Sequence, residues 1–204
     1  MALKRIGLSN FKAFKSFQQV DISPVSLLFG YNNSGKSSIL RAVLLLADSF
    51  KKSEVPMYQS SILDYTSESI RGASHVELAH NNKPGMSFTL SWEDGSSVRF
   101  KVFQNGLDAE VIQEIEVQQF GCSYLFLQSL DADAPIGTYI LQDSAEEVEM
   151  TVKDFRLDCE KVDFSHINQL IEAFSKSVYY LSSTRKYPPR EFEIGIGVPL
   201  STPV

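Results

Sequence analysis

The chain has 204 residues, 43 % hydrophobic and 22 % charged, which excludes fibrous and disordered classes and fits one domain, or one domain with an insertion. Its two cysteines, Cys122 and Cys159, are too few for a disulfide framework and read as ordinary thiols of a reducing compartment. A net charge of −6 argues against broad non-specific DNA binding by this chain alone.

That charge is unevenly spread. Residues 1–52 carry eight Lys or Arg against two acids, and residues 53–204 carry 11 against 23. The basic first quarter suits polyphosphate or nucleic acid; equally, it can pair internally with the acidic remainder. The apolar run "AVLLLA" is far too short for a membrane span. "MALKRIGLSNFKAF" lacks the apolar stretch of a signal peptide, so a cytoplasmic chain is expected.

In chain order, "LKRIGL" and "QQVDIS" predict two short strands joined through "NFKAF". "VSLLFG" (25–30) is continuously apolar, as in a central strand buried on both faces. From Ser37 to Phe50 the spacing of Ile39, Leu40, Val43, Leu44 and Ala47 predicts a helix whose face packs on the sheet. "KKSEVPMYQSS" breaks it, and residues 62–85 support no assignment. "MSFTLSWEDGSSVRFKVFQNG" alternates around turn signals and predicts antiparallel strands. "EIEVQQF", "CSYLFLQSL", "GTYILQD" and "EVEMTVKDF" continue that texture to about residue 156. "DFSHINQLIEAFSKS" predicts a helix with Ile167, Leu170, Ile171 and Phe174 on one face, and "VYYLSS" another buried strand. No internal repeat is present.

Gly30-Tyr31-Asn32-Asn33-Ser34-Gly35-Lys36-Ser37 fits G-x-x-x-x-G-K-S/T, the phosphate-loop pattern. Gly30 and Gly35 permit backbone angles that a Cβ blocks. The N–H groups then converge on an anion, aided by the positive end of the following helix. Lys36 is placed for the β- and γ-phosphates, and the Ser37 hydroxyl for Mg²⁺. The plainer reading, a glycine turn before an amphipathic helix, leaves unexplained a lysine at the helix end that disfavours cations.

"GYNNSGKSSILRAV", preceded by "LSNFKAF", resembles the N-terminal lobe of ABC-type ATPases of the SMC, Rad50, RecF and OLD kind. "VYYLSSTRKYPPREF" is similar to a stretch of stand-alone AAA_15-like ATPases, several linked to phage defence or DNA repair. The resemblance implies an α/β P-loop NTPase: an ABC-ATPase-like N-terminal lobe over residues 1–52, a β-rich insert over 53–160, and a helix, strand and Pro/Gly-rich tail over 161–204. It implies ATP and Mg²⁺, bound through Gly30, Asn32, Asn33, Ser34, Gly35, Lys36, Ser37 and Ser38. It also brings Asn10, Phe11 and Lys12 near the adenine and ribose, although a surface turn with one buried Phe explains them equally. Arg185 is a weaker candidate, with a strand-end arginine the plainer reading. Gln119, Gln128 and Gln142 all follow apolar runs and compete for the glutamine that holds Mg²⁺ or water. No histidine spacing suggests a metal beyond Mg²⁺.

Hydrolysis in such enzymes needs an apolar strand ending in Asp-Glu and an L-S-G-G-Q-like motif supplied in trans. Neither occurs; Asp131 stands three residues past its apolar run, too far to serve. The chain therefore reads as the front part of an ATPase completed by another chain, with a homodimer or that completing chain as its protein partner, nucleic acid as a partner of the whole assembly and no membrane. The alternative is a regulatory or assembly module that binds nucleotide without turning it over.

Overall fold

The computed structural model describes residues 1–51, 62–67, 70, 73–105, 109–130 and 137–181. Nine strands form one antiparallel sheet. They are β1 (Leu3–Ser9), β2 (Gln18–Asp21), β3 (Gly85–Trp92), β4 (Ser97–Gln104), β5 (Glu110–Gln119), β6 (Cys122–Gln128), β7 (Thr138–Leu141), β8 (Glu146–Lys153) and β9 (Arg156–Cys159). The spatial order is β2-β1-β3-β4-β5-β6-β7-β8-β9. Helices α1 (Lys36–Ser49), α2 (His75–Leu78) and α3 (Ser165–Ser177) complete the described fold, with a 3-10 turn at His80–Asn82.

Period-two patterning decides which face of the sheet is covered. Met86, Phe88, Leu90 and Trp92 of β3 and Val98, Phe100 and Val102 of β4 are buried, and Ile112, Ile115 and Val117 of β5 join them. The odd step from Ile112 to Ile115 is a bulge, where Lys101 pairs with Glu114 and Val102 with Ile112. The opposite face is polar. There Arg99 bonds to Glu114 and lies 3.1 Å from Glu116.

α3 buries Ile167, Leu170, Ile171 and Phe174, the stripe that its spacing predicts. α1 buries Ala42, Leu45, Leu46, Ala47 and Ser49; of the expected Ile39–Leu40–Val43–Leu44–Ala47 stripe, Ala47 is buried and Ile39 and Val43 pack partly buried against the core. Leu40 is in fact exposed. The helix is apolar almost all round, so periodicity alone does not choose its inner face. At its end, fully buried Phe50 packs on Phe155 at 4.9 Å, Phe174 at 5.9 Å and Phe100 at 6.4 Å between ring centroids. Because this ring joins sheet, hairpin and both long helices, Phe50→Ala should cost about 3–5 kcal/mol. Urea unfolding monitored by circular dichroism would measure it, and a loss below about 1 kcal/mol would show that the cluster is not load-sharing.

Three further differences have physical causes. The 25–30 segment is not a strand, and Val25, Leu27 and Phe29 are 78 %, 72 % and 85 % exposed. A strand apolar on both faces needs a slot covered on both sides, and the described sheet is covered on one face and ends at β2. Tyr179, Tyr180 and Leu181 are likewise exposed and outside any strand; Val178, also outside any strand, packs partly buried against the core, and Ser182 and Ser183 lie outside the described residues. β9 is a strand no turn residue announces. Its hairpin turns at Asp154 and Phe155 with φ of 50° and 62°, angles usually given to Asn or Gly; the Phe155 ring, 5.0 Å from Phe100, holds them.

Candidate phosphate-loop site

Residues 30–34 form an exposed loop that enters α1 through buried Gly35. Gly30, Asn33 and Gly35 adopt φ of 150°, 67° and 95°. The Ser34 amide donates to the Tyr31 carbonyl at 3.2 Å, and the Ser38 and Ile39 amides donate to Gly35 O at 2.9 and 3.1 Å. A Cβ on Gly30 would stand 2.6 Å from Ser34 Oγ, and one on Gly35 2.8 Å from Phe14 Cζ. The backbone angle favours glycine at both positions, and at Gly35 the Phe14 ring also leaves no room for a Cβ.

No side chain caps α1 and no acid stands in its first turn. Its first N–H groups and its dipole are therefore left for an outside anion. Lys36 turns back over the loop, donating from Nζ to Tyr31 O at 2.6 Å, Gly30 O at 2.7 Å and Ser34 Oγ at 3.4 Å. A cation held only by neutral carbonyl and hydroxyl oxygens is poised to exchange them for phosphate oxygens. Asn32, Asn33 and Ser34 lie exposed on the loop, Ser37 is exposed on the first turn of α1, and Ser38 is half-buried. These features fit a polyphosphate carrying a divalent ion. Among the described residues, no cluster of His, Cys, Asp or Glu could hold a metal on its own.

The turn after β1 reaches this loop from below. Asn10 and Lys12 have φ of 55° and 48°, and Phe11 and Phe14 exchange backbone hydrogen bonds of 3.0 and 2.8 Å. Phe11 is fully buried with its ring 5.6 Å from Phe88, so its ring belongs to the core. Its burial agrees with the reading of this segment as a surface turn with one buried Phe. Asn10 Nδ2 donates to Gly85 O. Lys12 Nζ donates to Glu77 O at 2.9 Å. Partial burial, then the nearby Arg41 guanidinium, pull the Lys12 ammonium below its ordinary range, against the attraction of Glu77. Lys12 and Arg41 thus add positive charge beside the first turns of α1. Arg41 and Phe14 are absent from the sequence-derived site: each has an ordinary helical or core reading, and only their proximity to Gly35 and Lys12 shows otherwise.

The three glutamines are far apart. Gln119 is buried and donates from Nε2 to Asp163 O at 2.8 Å, anchoring the approach to α3. Pairing puts it beside the β3–β4 turn, because Gln118 opposes Ser97, whereas the loop turn follows Ser9, which opposes Ser87 at the other end of β3. Gln128 ends β6, separated from β1 by β3, β4 and β5. Gln142 is an exposed turn residue. None lies beside the phosphate loop, since one strand spacing is about 4.8 Å. Arg185 and Asp131 lie outside the described residues. Among those residues, no helix is long and apolar enough to cross a membrane.

A family model described as AAA_15, AAA ATPase domain, matches residues 1–193. No curated protein matches the chain.

Proposed function

This chain belongs to the AAA_15 family of AAA ATPase domains, P-loop NTPases that bind ATP, and from that premise we propose that Gly30–Ser38 is its nucleotide site. The observation that carries the reading is the Lys36 ammonium, folded over the loop onto the carbonyls of Gly30 and Tyr31 at the uncapped start of α1. On binding, Lys36 gives up those carbonyls for the β- and γ-phosphate oxygens. The amides at the head of α1 receive the remaining phosphate charge. The Ser37 hydroxyl holds Mg²⁺, which offsets charge between the phosphates. Asn10 and Lys12 stand on the base and ribose side.

In this reading residues 1–52 form an ABC-type lobe and residues 53–160 its β-rich insert. A completing ATPase chain contributes the carboxylates and the trans motif, so that hydrolysis follows assembly; a second copy of this chain is a further partner but brings neither. Nucleic acid, and with it DNA repair or phage defence, is a partner of that assembly. A cytoplasmic setting agrees with two unpaired thiols, Cys122 and Cys159.

Calorimetric titration tests the reading. Mg·ATP is expected to bind with a Kd of roughly 1–100 μM. Replacing Mg²⁺ by EDTA is expected to weaken binding about tenfold or more, because the triphosphate charge then goes uncompensated. A folded sample that releases no binding heat and shows no rise in melting temperature with Mg·ATP would overturn the reading.

A further inference from the structure

We propose that Phe14 is a positioning residue of the phosphate loop, holding Gly35 in place from beneath; the inference rests on the reading of Gly30–Ser38 as the nucleotide site. A Cβ built on Gly35 would lie 2.8, 3.2 and 3.5 Å from Phe14 Cζ, Cε1 and Cε2. The ring therefore occupies the space directly under the last loop residue. Gly35 sits at φ 95° and its carbonyl accepts the Ser38 and Ile39 amides, the third and fourth of α1. Any shift of Gly35 consequently tilts the peptide plane that it shares with the Lys36 N–H, at the uncapped start of α1.

The ring cannot readily retreat. Phe14 is bonded in both directions to Phe11. Phe11 is fully buried and bridges to Ala79. Two more bonds, Lys12 N to Leu78 O at 2.6 Å and His80 N to Asn10 O at 3.0 Å, strap the turn to residues 78–80. A rigid turn thus presses one aromatic ring on one glycine. Phe14 does so without entering the loop, so its effect on nucleotide is indirect. Removing the ring should leave α1 formed and the loop free to sample angles in which its amides no longer converge.

The test compares wild type, Lys36→Ala, Phe14→Ala and Phe14→Leu by Mg·ATP titration and by melting without nucleotide. Phe14→Ala is expected to weaken Mg·ATP binding about tenfold, and Phe14→Leu, which refills most of the space, about threefold. The melting temperature of nucleotide-free Phe14→Leu should stay close to that of wild type, which a purely structural role for the ring in the core would not predict alongside weaker binding. Wild-type affinity in both Phe14 variants, while Lys36→Ala loses binding, overturns the positioning role and leaves the nucleotide site standing. If Phe14→Ala does not fold, the leucine variant decides, and wild-type affinity there overturns the proposal. Failure of wild type itself to bind overturns the site and this inference together.

Discussion

Lys36→Ala is expected to weaken Mg·ATP binding by about 100-fold or more while leaving the unliganded fold nearly as stable as wild type. The two effects separate because of what the lysine does in each state. In the free protein its ammonium bonds to Gly30 O, Tyr31 O and Ser34 Oγ, all within an exposed loop. Such solvent-accessible contacts contribute little net stability, about 0.5 kcal/mol or less on substitution. Against a triphosphate the same ammonium makes charge-assisted bonds worth about 1.5–3 kcal/mol each. Two of them amount to roughly 3 kcal/mol or more, which is the 100-fold loss. Calorimetry on both proteins, paired with a melt of each without ligand, measures the two terms. A variant that binds Mg·ATP within about threefold of wild type would mean that the loop amides and dipole alone carry the phosphate. A variant that fails to fold would mean that the lysine's bonds to the loop are structural.

The Gly30–Ser38 loop ahead of α1, proposed above as the phosphate site, was legible in the sequence because its pattern is local: two glycines, a lysine and a hydroxyl at set spacing before a helix. β3 to β6 and α3 were legible for a similar reason, since one-sided burial writes its period directly into Met86–Trp92 or Ile167–Phe174. What stayed hidden depends on contacts distant in sequence. The inner face of α1 was legible only in part: Ala47 is buried as its spacing predicts, but Ala42, Leu45 and Leu46 are turned inward by packing that runs from Phe50 to Phe100, Phe155 and Phe174. The Asp154–Phe155 turn lacks the glycine that usually announces such angles, because a buried ring holds it instead. α2 is four residues long, below any useful helical period. Phe14 reads as a core aromatic until Gly35 is seen lying on it. The 25–30 segment is the opposite case: a clear apolar pattern whose expected neighbours are not among the described strands.

Glu110→Ala is expected to cost about 3–5 kcal/mol of stability, because it removes one end of a buried ionic cluster and leaves its partners without an acceptor. Glu110 opens β5 and is 7 % exposed. Its Oε1 accepts the Tyr65 hydroxyl and faces His75 Nδ1 at 2.5 Å. Its Oε2 accepts the Ile62 and Leu63 amides at 2.7 and 3.0 Å. Burial pushes this carboxyl up, but bonds from His75, Tyr65 and the two amides outweigh burial and hold it below the ordinary glutamate range. Burial, with the Glu110 charge beside it, raises the Tyr65 hydroxyl so far that it remains a donor. The sign of the pH effect follows. A carboxyl lowered in the folded state adds stability that is fully present above its unfolded value of about 4.3 and is lost as pH falls through the folded value. Wild type should therefore lose stability in acid below about pH 4.3 along a slope that Glu110→Gln lacks, which urea unfolding from pH 7 to pH 3 would resolve. The cluster also reaches the site. Residues 62–67 close on the end of α1 through Asp64 N to Ser49 Oγ at 2.8 Å and Ser67 Oγ to Asp48 Oδ2 at 2.6 Å. α2, which carries His75, leads straight into the strap on the turn below the phosphate loop. Losing Glu110 thus loosens what grips both ends of α1, and binding of Mg·ATP should restore part of the lost stability by mass action. A loss under about 1 kcal/mol in Glu110→Ala would show that the cluster relaxes into water at little cost and does not clamp the helix.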